Sequence, residues 1–153
     1  MLHNKKGFTL IELLVVLAIL TAMAGLSIPF FQSFQTSSDL YTNTNSIMQT
    51  LRRAQQLAII GKHADDWGVY FDSTNDQLTL FKGNSYSARD IEYDIQTEYG
   101  SAFSVTTDFG NEIYFTIYSG VPSIQGTVTV TSVNTVKTET ISITSNSIIE
   151  IDE

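Results

Sequence analysis

The sequence has no cysteine, two prolines and two histidines among its 153 residues. Without cysteine, neither a disulfide nor a thiolate metal ligand can form. The two histidines, His3 and His63, lie far apart in the chain, so the sequence predicts neither a histidine-based catalytic triad nor a histidine metal cluster. Serine is frequent, but it is a weak nucleophile without a neighbouring base. We therefore expect no enzymatic activity and no cofactor.

Basic residues are also scarce, with eight lysines and arginines against sixteen aspartates and glutamates. Lys5 and Lys6 precede an apolar run that contains Glu12, so the chain beyond the run has six basic and fifteen acidic residues. Nucleic-acid binding depends on basic side chains that neutralise phosphates. Because such side chains are scarce beyond the run, we expect no direct binding of nucleic acid. A local basic patch remains the alternative, and its candidates are Arg52, Arg53, Lys62, Lys82 and Arg89.

The apolar run extends from Phe8 to Ile28, and as a helix of 1.5 Å rise per residue it spans about 30 Å, the thickness of a bilayer core. The two lysines before it place residues 1–7 in the cytoplasm and the rest of the chain outside. A cleaved signal peptide with a site at Ala22–Ala24 and a plain uncleaved anchor are the alternatives. Glu12 argues against both, because a central acidic residue costs about 2.5–3.5 kcal/mol on insertion.

The stretch "KGFTLIE" explains this glutamate. It resembles the processing motif of type IV pilins and of type II secretion pseudopilins, and the resemblance covers residues 5–31, with Pro29 at a position where the family commonly has proline. The resemblance implies that a membrane prepilin peptidase cuts after Gly7 and that the new terminal residue, Phe8, is N-methylated. Counted from Phe8 as the first residue of the mature chain, Glu12 is the fifth residue, which is the position of the glutamate in the family.

Cleavage changes the charge beside Glu12. The nitrogen of Phe8 is an uncharged amide before cleavage and an amine with a pKa near 8 afterwards. A buried ammonium and a buried carboxylate are each costly alone and compensate each other when paired. The resemblance implies that Glu12 pairs with the amino terminus of a neighbouring subunit in a helical filament of this chain and other pilins, built by an inner-membrane machinery. The alternative is a glutamate that reaches the membrane interface as a tolerated polar residue.

Gly25 and Pro29 predict a weak point in the helix. Proline inside a helix removes a hydrogen bond and costs about 3 kcal/mol, and glycine adds about 1 kcal/mol. A kink or a locally unwinding segment is expected here, and a static bend is the alternative.

Beyond the run, apolar and small residues recur every three or four positions and mark one helix face, with Gly61 as the stop. These residues are Leu40, Thr44, Ile47, Met48, Leu51, Ala54, Leu57 and Ala58. Arg52 and Arg53, on other faces, are expected to be solvated or paired with aspartates.

From Trp67 the period changes to the alternation of strands. "WGVYFD" and "QLTLFK" flank a turn and predict a hairpin, followed by "AFSVT", "EIYFTIYS", "GTVTVTSV", "TETISIT" and "SIIEI". The fold class is α+β, a long helix packed on antiparallel β-sheet, which is the pilin fold. The element order and "IYFTIYSGVPSIQGTVTVT" resemble H-type minor pseudopilins and minor pilins. Asp72 to Asp76 match the first offsets of a calcium loop, but Gln77 and Gly83 occupy the required glycine and glutamate positions, so a solvated turn is favoured.

Four segments are predicted: a cytoplasmic leader at 1–7, a transmembrane and assembly helix at 8–31, an amphipathic helix at 32–61 and a sheet domain at 62–153. The predicted function is that of a structural subunit of a type IV pilus-like filament. The chain would begin as a single-pass membrane protein with an extracytoplasmic C-terminal domain and end in an extracellular or periplasmic filament. The alternatives are a minor pseudopilin of a type II secretion system and a monomeric membrane-tethered binding module.

Overall fold

The computed structural model describes residues 7–152, except for the side chains of 26–33. Helix α1 extends from Leu10 to Ile59. Its N-terminal cap is Thr9, whose carbonyl oxygen accepts from the nitrogen of Leu13 at 3.2 Å and whose Oγ1 accepts from the nitrogen of Glu12 at 3.3 Å. The hydroxyl thus satisfies one of the N–H groups that a helix start leaves without an intrahelical partner.

The chain divides into two compact units, Met1–Thr36 and Ser37–Glu153, and α1 contributes residues to both. Gly25 and Pro29 are both helical residues of α1. The side chain of Pro29 lies outside the described residues, so the predicted kink stays a prediction.

Within the described residues, no helix is long and apolar enough to cross a membrane. The transmembrane segment predicted at 8–31 includes residues whose side chains lie outside that description, and residues 1–6 of the leader predicted at 1–7 lie outside it altogether.

The amphipathic face predicted for the second half of α1 is confirmed. Leu51, Ala54 and Ala58 are fully buried, and Met48 and Leu57 pack partly buried against the same core. Thr44 is buried as well. Its hydroxyl donates to the carbonyl oxygen of Leu40 at 2.9 Å, so the buried polar group has a hydrogen-bond partner. The stop is also confirmed, since Gly61 adopts a left-handed conformation with φ 64° just beyond the helix end.

In the part of the chain that the structure describes, eight strands follow the helix. They are β1 Trp67–Asp72, β2 Gln77–Lys82, β3 Asp90–Glu98, β4 Phe103–Thr107, β5 Glu112–Phe115, β6 Gly126–Ser132, β7 Thr138–Ile143 and β8 Ile149–Asp152. They form two antiparallel sheets, with strand orders β3-β2-β1-β5 and β4-β6-β7-β8. Single 3-10 turns occupy Lys62–Ala64 and Tyr86–Ala88.

One hydrophobic core joins α1 to both sheets. The helix contributes the buried residues of its amphipathic face. The first sheet contributes alternating residues such as Val69, Leu80 and Ile113, and the second sheet contributes Val128 and Ile141. The predicted α+β class, a long helix packed on antiparallel β-sheet, is therefore confirmed, with the strands divided between two sheets.

Two strand predictions differ from the structure. Strand β3 is absent from the strands predicted above. Its apolar residues, Ile91, Tyr93 and Ile95, alternate with acids, but this is an edge strand and Ile91 remains 70% exposed. The segment "EIYFTIYS" is a strand only to Phe115, because the chain then turns back through Tyr118 at φ 62° and Gly120 at φ 65°.

Candidate assembly surfaces

The first surface is the N-terminal part of α1. Every described side chain from residue 7 to residue 25 is exposed. Phe8 is 83% exposed, Leu10 79% and Ile11 64%, and the leucines, valines and isoleucines that follow are about half exposed. Such a continuous apolar surface is costly in water, so it requires lipid or other helices as its environment.

Gly7 and Phe8 lie immediately before the helix, and Glu12 lies in its first turn. A carboxylate in the first turn is favoured by the positive end of the helix dipole. Thr9 and Glu12 have the T-x-x-E spacing of a capping box, with the threonine hydroxyl bound to the nitrogen three residues later. The sequence interpretation missed Thr9, although this spacing was the signal that could have identified it.

The second surface is the C-terminal end of α1, where the β5–β6 connection folds over the helix. The nitrogen of Tyr118 donates to the carbonyl oxygen of Ala58 at 2.9 Å, and so does the nitrogen of Gly61. The Tyr118 ring lies against Gly61, and the Ile59 side chain lies against Gly120, at points where a Cβ on either glycine would overlap them. The "YSGVP" stretch, which carried part of the family resemblance, therefore serves to close the helix end.

Two polar side chains of α1 bind the C-terminal part of the chain. Arg52 donates to the carbonyl oxygen of Ile149 at 2.6 Å. Gln55 donates to the carbonyl oxygens of Ser147 at 2.8 Å and Gly120 at 3.2 Å. The prediction that Arg52 is solvated is confirmed, since this residue is exposed, and its guanidinium also reaches the backbone carbonyl of the first residue of β8.

Two candidates for a basic patch are engaged elsewhere. Lys82 pairs with Asp90 at 3.4 Å and approaches Asp65 at 4.0 Å. Arg89 pairs with Asp94 at 2.8 Å. Its guanidinium also lies 3.6 Å from the centroid of the Tyr86 ring. These contacts weaken the hypothesis of a phosphate-binding surface, since both cations already face carboxylates.

The Asp72 carboxylate forms the β1–β2 turn. It accepts from the nitrogen of Thr74 at 3.0 Å and from the nitrogen and Nδ2 of Asn75 at 3.2 and 2.7 Å. The Asn75 side-chain bond in particular lowers the pKa of Asp72. Among the residues that the structure describes, no three histidine, aspartate or glutamate side chains are grouped as a metal site. The turn therefore uses these oxygens for its own hydrogen bonds.

Comparisons with known proteins agree with this architecture. A family model of the prokaryotic N-terminal methylation motif matches residues 2–28. The type IV major fimbrial protein FimA of Dichelobacter nodosus is 26% identical over 124 residues, which cover 74% of this chain and 76% of FimA.

Two solved structures of the minor pseudopilin EpsH, from the type II secretion system of Vibrio cholerae, have TM-scores of 0.58 and 0.56. The likeness covers 74% of this chain and 96% or 93% of EpsH, at 14% and 13% identity, which shows a shared fold.

The resemblance to type IV pilins and pseudopilins, with an ectodomain like that of H-type minor pseudopilins, is thus confirmed at both ends of the chain. The relatives are a type IV major fimbrial protein and a minor pseudopilin of a type II secretion system. These findings support a type IV pilin-like subunit, and they show the fold of a minor pseudopilin.

Proposed function

We propose that this chain is cut after Gly7, methylated on Phe8 and polymerised into a pilus-like filament through the N-terminal part of α1. The observation that carries the proposal is the exposed apolar helix that begins at Leu10 and holds Glu12 in its first turn. In a filament, neighbouring helices cover this surface and remove it from water.

In this proposal Glu12 aligns the helices. Cleavage creates an amine at Phe8, and the Glu12 carboxylate of one subunit pairs with the amine of the next. A helix displaced by one turn leaves both charges unpaired in an apolar environment, where breaking such a pair costs about 3–5 kcal/mol. The pairing therefore selects one register among many that bury the same apolar area.

Before assembly, the same segment holds the subunit in the inner membrane with residues 1–7 cytoplasmic and the sheets outside. The prepilin peptidase and the inner-membrane assembly machinery are the proposed partners of this stage. The chain acts as a structural component and not as an enzyme, since its proposed chemistry is performed on it by the peptidase and a methyltransferase.

Mass spectrometry of the mature protein and electron microscopy of sheared filaments test the proposal together. The expected mature chain begins at Phe8 with one added methyl group and is present in the filament fraction. A Gly7→Leu variant is the control, and it should stay uncut, membrane-bound and absent from filaments. A mature chain that begins at Met1 or Gly25, or one that remains monomeric in the membrane, would contradict it and favour a tethered binding module.

A second candidate is a minor pseudopilin of a type II secretion system. It is favoured by the fold, which matches 96% of EpsH. The sequence relative is instead a major fimbrial protein. The fraction of the filament mass made of this chain separates the two: a main component indicates a major pilin, whereas a trace component whose deletion blocks secretion indicates the minor pseudopilin.

A further inference from the structure

The β6–β7 turn exposes two valines. Val133 is 60% exposed and Val136 is 79% exposed. We call residues 133–136 the valine turn. Its backbone is fixed, because the nitrogen of Val136 donates to the carbonyl oxygen of Ser132 at 3.0 Å and the nitrogen of Val133 donates to that of Ala102 at 3.0 Å. The two apolar side chains are therefore presented to solvent on a turn of defined shape.

Val136 is a poor choice of residue for the turn itself. Its φ of 55° lies in the left-handed region, where a β-branched side chain is a clear outlier and glycine is free of this strain. Because the side chain is mostly exposed, it contributes no core packing that would offset the strain. An observed strain of this kind points to a role of the side chain outside folding.

Lys137 holds the valine turn beside the start of the second compact unit. Its Nζ donates to the Oγ of Ser37 at 2.6 Å, and Ser37 is the first residue of that unit. The apolar segment predicted to lie in the membrane ends at Phe31, six residues earlier. Six residues of chain, whatever their conformation, reach no further than about 20 Å. In a subunit anchored by that segment, the valine turn is therefore within reach of the lipid.

We propose that the valine turn inserts into the extracytoplasmic surface of the lipid bilayer and orients the sheets on it before assembly; the inference rests on the membrane anchoring proposed above. Val133 and Val136 enter the boundary between headgroups and acyl chains, about 5–10 Å deep. The Lys137 ammonium has three donors, so besides its bond to Ser37 it can bind a lipid phosphate. Apolar side chains with a cation at their border suit this boundary, where one end is dry and the other wet.

The size of the valine turn favours a bilayer over a protein partner. A stable protein interface covers about 800 Å² on each partner, far more than two valine side chains provide. A bilayer contact needs no such area, because the anchor already holds the turn beside the lipid. The second, weak contact then forms within one anchored molecule, at a high effective concentration.

Charge does not drive this contact. Lys137 is the one charged residue among the exposed positions 133–138. Acids near the turn include Asp39 on α1, Glu139 on β7 and Asp76 in the β1–β2 turn, so an anionic surface is not favoured over a neutral one. Burial of the two valines supplies the free energy of the contact. We therefore expect it to form with zwitterionic lipid and to depend little on salt.

A dye on an introduced cysteine tests the contact directly, because the native chain contains no cysteine. The full chain with Asn134→Cys, labelled at the tip of the valine turn, is reconstituted at low density in phosphatidylcholine vesicles. Spin-labelled lipids should quench this dye about threefold more strongly than a dye on Tyr118→Cys. Tyr118 is the matched control, because it is 71% exposed with φ 62° and lies beside Ala58, about 30 Å along α1 from Ser37. Equal quenching of the two dyes overturns the lipid contact.

A second variant separates lipid contact from folding. In the Asn134→Cys chain, Val136→Gly removes an apolar side chain and relieves the left-handed strain. The quenching should then fall about threefold, and the melting temperature should stay the same or rise. Tyr118→Gly, also at a position of positive φ, is the control and should leave the quenching unchanged. Quenching that survives Val136→Gly, or that falls equally with Tyr118→Gly, overturns the role of the valine turn.

Quenching in vesicles and the yield of filaments distinguish the two proposals. Filaments of chains that begin at Phe8, with no excess quenching of the Asn134→Cys dye in vesicles, overturn the lipid contact and leave the proposed function intact. A dye that is shielded only in the filaments shows that a neighbouring subunit covers the valine turn, which also overturns the lipid contact. Quenching of the expected strength with no filaments overturns the proposed function and leaves the lipid contact intact.

Discussion

The amide nitrogen of Tyr118 and the carbonyl oxygen of Ala58 are joined by a 2.9 Å hydrogen bond at the end of α1. The last turn of a helix leaves carbonyl groups without intrahelical partners, and here a loop from the sheet region supplies one. The bond requires the loop to approach the helix closely. Gly61 and Gly120 permit this approach, because both adopt left-handed backbones and both lack a Cβ that would overlap a neighbour.

Gly120→Ala should therefore destabilise the fold by about 1–3 kcal/mol, from left-handed strain and from overlap with Ile59. Urea denaturation of the purified chain in detergent measures this loss. Gly110→Ala is the matched control, because Gly110 has a positive φ of 94° but open space around it. The difference between the two variants in lost unfolding free energy measures the cost of the overlap with Ile59. Equal losses in both variants would contradict such a cost and show that the Ile59 side chain moves aside.

Arg52→Ala should cost about 1–2 kcal/mol, since it removes a charged donor from the carbonyl of Ile149. Arg53→Ala, one residue away on an exposed position, should change stability by less than about 0.5 kcal/mol. Thermal melting of both variants compares them under one condition. Hydrogen exchange at β8 should increase only in Arg52→Ala, and a similar increase in both would contradict a specific bond.

Under the proposed pairing, Glu12→Ala should leave cleavage after Gly7 intact and reduce the sheared filaments by about a hundredfold, because the neighbouring amine would lose its counter-charge. Asp39→Ala, an exposed acidic position of the same helix, controls for a general effect of charge. Immunoblots of the membrane and sheared fractions give both quantities. Normal filament yield in Glu12→Ala would defeat the pairing.

Tyr99 should make the folded unit sensitive to alkaline pH. Burial, with the nearby charges of Asp76 and Asp72, raises its pKa above the ordinary value. The folded state therefore retains the phenol proton where the unfolded chain loses it, so this contribution is complete below about pH 10 and declines as the pH rises further. Denaturation midpoints from about pH 8 to about pH 11 should fall less steeply in Tyr99→Phe than in the parent. Tyr41→Phe, at an exposed tyrosine, should match the parent.

The sequence pattern was sufficient wherever one short stretch carries the whole signal. The buried stripe from Leu40 to Ala58 and the stop at Gly61 repeat with the period of a single helix, so no distant residue is needed to identify them. The N-terminal motif is local in the same sense, because Gly7, Phe8 and Glu12 lie within six consecutive residues.

The tertiary structure decided what depends on residues far apart in the chain. Strand β3 alternates like its neighbours, but only its pairing with β2 reveals an exposed edge. The role of Arg52 depends on a carbonyl contributed by Ile149, and the end of β5 depends on the turn that brings Tyr118 to Ala58. Periodicity records which face of an element is buried, whereas these contacts arise from how the sheets fold back on the helix. The sequence by itself therefore determined the helix, its N-terminal motif and the fold class. The tertiary structure alone determined how the end of α1 is closed, because Ala58, Gly61, Tyr118 and Gly120 meet only after the β5–β6 loop has folded over the helix.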